Sequence, residues 1–219
     1  MGTKQETNDW RVKLSIPSTF GAPEILAPLV ETNGLVFPYT PTILIQHTAS
    51  YDALSPTHSN YPFPQYQNSQ IEDLVITGDF FCENAKDAQY WTAMVHYLRS
   101  VTKMNYGVDG DAGAPPPIVK LTGYGDFVFP NVPVVVRNFT VDLPADVDYI
   151  KTQITGDVSI TDGSVNVEIP GKAGWAPVQS QVSITVTPIY SRAKTSQFSL
   201  NSFITGGYLG GSGNGGGFI

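Results

Sequence analysis

The sequence predicts a mainly β chain with one flanking α-helix. Short segments alternate apolar and polar side chains at the period of two that a half-buried strand requires. Seventeen prolines and 21 glycines punctuate most of the 219 residues. One stretch, about 85–104, has neither, and its apolar residues recur at helical spacing.

The chain divides into an N-terminal arm with a first strand (1–33), a β domain (34–190) and a Gly-rich C-terminal arm (191–219). Met1 to Asn8 is polar. From Trp10 to Ile16 the pattern alternates, with Trp10, Val12, Leu14 and Ile16 on one face and Arg11, Lys13 and Ser15 on the other. That is a half-buried strand. Pro17, Gly21, Pro23 and Pro28 break the next stretch, which reads as a loop. Asn33-Gly34 signals a turn, and Leu35-Val36-Phe37 a short strand before Pro38.

Thr42 to Ser50 reads as one strand. Ile43, Ile45 and His47 share a face, which would turn His47 toward the core. Tyr51 to Gln70 reads as a long loop containing Pro56, Pro62 and Pro64 and the aromatics Tyr51, Tyr61, Phe63 and Tyr66. Loops of this length usually have a job. Aromatics among prolines suit docking on another subunit; the alternative is a loop packed on its own domain. Ile71 to Phe81 reads as a strand ending at Cys82.

The helix is well signalled. Asn84 is a favourable N-cap, and Asp87 completes a capping-box pattern at the positive helix end. Ala88, Trp91, Val95 and Leu98 form its packing face, continued by Thr102 and widened by Met94 and Val101. Lys103 suits the C-terminal end, and Gly107 can stop the helix. Pro115-Pro116-Pro117 then makes a stiff hinge. Ile118 to Phe127 and Val132 to Val141 read as extended segments. Thr161-Asp162-Gly163 signals a hairpin between 157–164 and 165–169. Gln179 to Ile189 alternates again, with Val182, Ile184 and Val186 on one face. Arg192 to Ile219 reads as a tail.

Only 14% of residues are charged, against about 25% in average domains, so partners are expected to cover much of the surface; a Ser/Thr/Asn-rich β surface is the plainer alternative. The net charge of −7 argues against gripping nucleic acid through phosphates, but not against a surface that DNA slides past. Cys82 is the only cysteine, so no internal disulfide is possible, and a buried free thiol is expected. Met1 to Trp10 lacks the pattern of a secretory leader, and no apolar run approaches the roughly 20 residues of a membrane span. Synthesis in a reducing cytosol is the expectation.

No catalytic constellation emerges. His47, His58 and His96 have no metal-ligand spacing, and His96 belongs to the polar side of the helix. Asp109-Gly110-Asp111 lacks the further acids of a calcium loop. Asp142, Asp146 and Asp148 around Pro144 suit a charged rim. Gly123-Tyr124-Gly125 is a turn with no helix after it to hold phosphate. No nucleophile elbow or Cys-His signature is present. The expectation is a non-enzyme with no metal and no cofactor.

From Tyr61 to Ile150 the chain resembles the tail-tube initiator proteins of contractile-phage baseplates. The resemblance rests on Asn60-Tyr61-Pro62-Phe63, Asn68-Ser69-Gln70-Ile71, Val75-Ile76-Thr77-Gly78-Asp79-Phe80, Ala88-Gln89-Tyr90-Trp91, Val101-Thr102-Lys103-Met104 and Pro115-Pro116-Pro117. It continues in Leu121-Thr122-Gly123-Tyr124-Gly125, Val132-Pro133-Val134-Val135-Val136 and Leu143-Pro144-Ala145-Asp146-Val147-Asp148-Tyr149-Ile150. Pro188-Ile189-Tyr190-Ser191-Arg192 and the final Gly215-Gly216-Gly217-Phe218-Ile219 extend it.

The resemblance implies a tail-tube-type β-sandwich or open barrel with one flanking helix. Six copies would form a ring whose strands close a continuous inner β-barrel. The ring would sit between hub and tube in the virion, assembled in the host cytoplasm, and template the first tube ring. Its implied partners are itself, the tail tube protein, a junction or hub protein, and the tape-measure protein and sheath initiator. DNA would only pass through the lumen, and no membrane is involved. Subunit contacts are expected at Tyr61, Phe63, Tyr66, Phe203, Tyr208, Phe218 and Ile219.

Only about forty residues precede the Thr42 strand, fewer than in family members with a long N-terminal extension. That leaves the tape-measure and sheath-initiator contacts open. The sequence does not separate an initiator from a junction ring, although no added peptidoglycan-binding module is expected here. The rival reading is a β-sandwich carbohydrate-binding module, using Tyr39, Tyr61 and Tyr66. A hydrolase ranks last.

Overall fold

The backbone runs through β1 (Lys13–Leu14), two single 3-10 turns at Ser18–Phe20 and Glu24–Leu26, α1 (Ala27–Glu31), β2 (Leu35–Val36), β3 (Thr42–Leu44), β4 (His47–Leu54), β5 (Phe63–Ile71) and β6 (Leu74–Phe81). It continues through α2 (Ala85–Val101), β7 (Val119–Gly123), β8 (Phe129–Val141), β9 (Tyr149–Val158), β10 (Val167–Pro177), β11 (Gln179–Pro188), α3 (Arg192–Ser196) and α4 (Leu200–Ile204). This computed structural model describes residues 10–20, 23–106, 112–125, 127–158, 167–208 and 217–219, with backbone alone for 153–158 and 167–172. Gly107, Asp109 to Asp111, Thr161-Asp162-Gly163, the Met1–Asn8 arm and most of the Gly-rich tail lie outside the described residues.

The protein is mainly β. Seven strands form one antiparallel sheet in the order β2-β1-β7-β8-β11-β6-β3, and β4–β5 and β9–β10 form two separate hairpins. β11 is an interior strand, paired with β6 from Gln179↔Phe81 to Val186↔Leu74 and with β8 from Val182↔Val141 to Pro188↔Val134. Its alternation places Val182, Ile184 and Val186 in the core, as the sequence predicts. Leu74, Ile76 and Phe80 of β6, Val132, Val134 and Val136 of β8, and Val119 and Leu121 of β7 join them.

α2 covers this apolar face. Asn84 Oδ1 accepts from the backbone N–H groups of Lys86 (2.9 Å) and Asp87 (3.0 Å), and Asp87 Oδ2 accepts from Glu83 N–H (3.1 Å). The capping pattern forms as the sequence requires. Ala88, Trp91 and Leu98 are buried as expected, whereas Val95 is half-buried at the margin. Met94 and Val101 are buried as expected, and the stripe extends to Ala93 and Tyr97, because α1 and the β9–β10 hairpin also pack on α2 and widen its covered arc.

Tyr90, Trp91 and Tyr97 tie α2 to neighbouring elements. Tyr90 Oη meets the Val36 backbone, Trp91 Nε1 donates to Ser180 Oγ (2.7 Å), and Tyr97 Oη donates to the Ser15 carbonyl (2.7 Å). Each aromatic body fills the core while its polar tip finds a partner. Burial pushes the Tyr97 phenol well above its ordinary pKa.

Several elements depart from the expectation. The first strand shrinks to Lys13–Leu14; Val12 and Leu14 are buried, but Trp10 is exposed. The Pro17–Pro28 loop is largely helical turns, because Pro28 sits in the first turn of α1, where its missing N–H costs nothing. The single Thr42–Ser50 strand is two: β3 pairs with β6, then the chain leaves the sheet as β4. His47 therefore lies on the hairpin and is exposed rather than core-facing. The hairpin read at 157–169 is longer, running from Tyr149↔Pro177 to Val158↔Val167.

Candidate interaction surface

The Tyr51–Gln70 loop of the sequence reading is a β-hairpin. β4 and β5 pair antiparallel from His47↔Ile71 to Leu54↔Phe63, with a bulge after Ser50. Its base is tied to the sheet's entry: Glu72 N–H bonds to the Gln46 carbonyl at 3.0 Å, and Glu72 Oε1 accepts from Thr48 Oγ1 (3.1 Å) and Gln70 Nε2 (3.2 Å). At the tip, Ser59 Oγ donates to the Tyr61 carbonyl at 2.7 Å. Pro64 is tolerated opposite Ala53, since both strands of a two-stranded ribbon are edges.

Both faces of this ribbon are exposed. Tyr51 and Tyr66, directly opposite, meet edge to face with centroids 5.7 Å apart, and Tyr66 Oη donates to Ser69 Oγ at 2.9 Å. Leu54 and Phe63 pair at the distal end, and Tyr61 is 78% exposed beside them. A two-stranded ribbon is marginal by itself in water. Five large apolar side chains displayed on it make it the candidate association surface.

The tail is not a featureless arm. α3 and α4 are capped by Ser191 and Ser199, whose hydroxyls accept from Lys194 N–H and Ser202 N–H. Phe198 stacks on Tyr208 at 5.7 Å, and Tyr208 Oη donates to the Gln197 carbonyl (3.2 Å) while accepting from Ser199 N–H (2.6 Å). Phe218 stacks on Tyr190 at 4.6 Å and also meets Phe198 and Tyr208. Phe203 packs against Phe198, and Ile219 is partly buried against the main core. The expected contact residues thus fall into two groups. Tyr61, Phe63 and Tyr66 share the exposed ribbon; Phe203, Tyr208 and Phe218 form one aromatic cluster within the chain.

The candidate chemical groups stay dispersed. His47 is on the ribbon, His58 at its tip and His96 on α2, all exposed. Among the described residues, no three His, Cys, Asp or Glu side chains gather as a metal site. Asp142, Asp146 and Asp148 are exposed around Pro144. Tyr124-Gly125 is a tight turn, with φ values of 55° and 78°. Cys82 is buried and free, and burial, then the nearby Asp87 charge, pushes its thiol to about 11. No helix among the described residues is long and apolar enough to cross a membrane.

The sequence reading missed two features of this surface. The ribbon is one: with both faces in water, no apolar-polar alternation was there to mark it. The other is Tyr90, whose hydroxyl meets the outer strand β2; its place in the helix gave no signal of that. No protein-family model matches this chain, and no curated protein matches it. Fold and surface together define a mainly β chain with one large antiparallel sheet, few helices and a projecting ribbon.

Proposed function

We propose that this chain is a structural subunit of a contractile-phage baseplate. Six copies form a ring that joins hub to tail tube, initiates tube polymerisation and lets DNA pass through its lumen. The ring's neighbours are the tail tube protein and the hub or junction protein, with the tape-measure protein and sheath initiator within reach. The carrying observation is the β4–β5 ribbon: among the described residues its strands pair only with each other, and it displays Tyr51, Leu54, Tyr61, Phe63 and Tyr66. Such a ribbon gains most of its order from a partner. Among the described residues no strand pairs beyond β3, and joining edges between subunits would hide that end of the sheet. The sequence resemblance supplies the phage assignment.

Negative-stain imaging of the purified protein, alone and mixed with tail tube protein, tests this. Rings of tube width, lost in a Tyr61→Ser/Phe63→Ser variant that still folds, are the expected result. A stable monomer that never assembles with tube protein, and instead binds a glycan array, would sink the reading in favour of a carbohydrate-binding module.

A further inference from the structure

The two ends of the seven-stranded sheet are finished differently. β3 ends one side with Leu44 63% exposed and no strand paired beyond it among the described residues. β2 ends the other, and its outward backbone is occupied. Phe37 N–H bonds to the Val12 carbonyl at 3.0 Å. Antiparallel strands alternate the direction of their polar groups, so Val36, one residue earlier, turns its N–H and C=O away from β1. Both meet one side-chain atom. Tyr90 Oη accepts from Val36 N–H at 2.8 Å and donates to the Val36 carbonyl at 3.1 Å.

That is the donor-acceptor pair an added strand would present. A lone hydroxyl supplies it because it is both donor and acceptor. Its position is fixed from behind, since Tyr90 stands next to Trp91, which is anchored to Ser180. Burial raises the phenol's pKa, so it keeps its proton and its donor role at neutral pH.

We propose that Tyr90 is an edge plug: its hydroxyl closes the β2 end of the sheet to strand addition. Removing that hydroxyl opens the edge to an extended strand of a second copy of this chain. Growth of the sheet by strand pairing is then one-sided, available at β3 and refused at β2. With β2 refused, strand pairing between copies can only join one β3 edge to another, an isologous contact that closes on itself instead of propagating. This goes beyond the ring assignment and stands whether or not the assembly is a phage ring.

The test is Tyr90→Phe in the full chain, which keeps the ring and deletes the hydroxyl. Hydrogen exchange at the Val36 amide should quicken at least about tenfold, as expected when one hydrogen bond worth about 1.4 kcal/mol is lost. Sedimentation should show concentration-dependent species heavier than those of the parent. Unchanged Val36 exchange overturns the proposal. Quickened exchange with unchanged sedimentation also overturns it, reducing Tyr90 to a structural tie. Should the variant not fold, Val36 exchange in the parent protein decides. Protection matching that of the Phe37 amide supports the plug, and exchange at the rate of an open edge overturns it.

Discussion

The indole N–H of Trp91 donates to the hydroxyl of Ser180 at 2.7 Å, and this buried pair ties α2, the longest helix among the described residues, to the interior strand β11. Ser180 is 2% exposed, so neither group has water to fall back on. Ser180→Ala leaves the indole donor unpaired and is expected to cost about 1–3 kcal/mol. Trp91→Phe should cost at least as much through the added loss of volume. The double variant should cost less than the sum of the two, as groups in contact couple. Urea denaturation of the four proteins measures this; strict additivity would remove the bond from the account of stability.

A second prediction concerns Gly78 in β6. A Cβ placed there would lie 2.6 Å from Phe37 Cδ1 and 3.3 Å from Pro41 Cβ. The Phe37 ring crosses the strand where a side chain would stand, and it packs on Phe80 at 5.6 Å. Gly78→Ala must push that ring off its rotamer or move the Pro41 turn, and about 1–3 kcal/mol of stability should go with it. The thermal midpoint reports the loss, and a simultaneous Phe37→Leu change should return part of it.

These two sites show which parts of the fold the sequence could announce. α2 was legible because Asn84, Asp87 and the spacing of Ala88, Trp91 and Leu98 all answer to one helix, and the structure keeps that agreement. β11 was legible because one of its faces is dry and the other is not. The β4–β5 ribbon was illegible for the opposite reason. With both faces wet, alternation has nothing to report, and Pro64 reads as a breaker although an edge tolerates it. α1 was hidden by Pro28, which is a breaker in a helix interior and a starter in its first turn. Tyr61, Phe63 and Tyr66, expected on a docking loop, are exposed on a ribbon instead, and their docking role stands as a proposal. The partner of Tyr90 was beyond reach, because Val36 lies 54 residues away in sequence and no local pattern joins them.

Alkaline conditions should expose the burial of Cys82. Its thiol ionises near the ordinary 9.0 in the unfolded chain and at about 11 when folded. Between those values the unfolded state binds fewer protons, so stability falls as pH rises through the window. Below about pH 9 the contribution is fully present. The tyrosines Tyr90, Tyr97 and Tyr190, also shifted upward from 10.0 by burial, add a similar loss at higher pH. Cys82→Ala isolates the thiol's share. Its denaturation midpoint should change less between about pH 8 and about pH 10 than that of the parent. Equal slopes would mean that Cys82 is solvated in the native state.

The exposed ribbon makes a contrasting prediction. Tyr61→Ser and Phe63→Ser touch side chains that are 78% and 59% exposed, so each should alter the stability of the isolated chain by no more than about 0.5 kcal/mol. If the ribbon is a contact surface, the same changes should weaken association by far more, since aromatic anchors dominate interfaces. Calorimetric unfolding beside sedimentation separates the two effects. A large drop in monomer stability would show that the ribbon packs on its own chain.

The C-terminal residues close the aromatic cluster, and Gly217 is what lets them. It is buried at φ +98°, and a Cβ there would lie 2.9 Å from both the Asn131 carbonyl oxygen and Pro133 Cδ. Both are parts of β8, and Pro133 also accepts from Ile189 N–H at 2.9 Å, so the wall cannot retreat cheaply. Only a residue without a side chain passes that wall and delivers Phe218 to Tyr190. Gly217→Ala should therefore free Phe218 and Ile219 while leaving the sheet and α2 folded. The expected signs are an intact far-ultraviolet spectrum, a weakened near-ultraviolet tyrosine signal and faster cleavage of the C-terminus by carboxypeptidase. Deleting 217–219 should give the same near-ultraviolet change. If Gly217→Ala instead lowers the global midpoint as much as Ser180→Ala does, the cluster is part of the main core and not a separate closure on its edge.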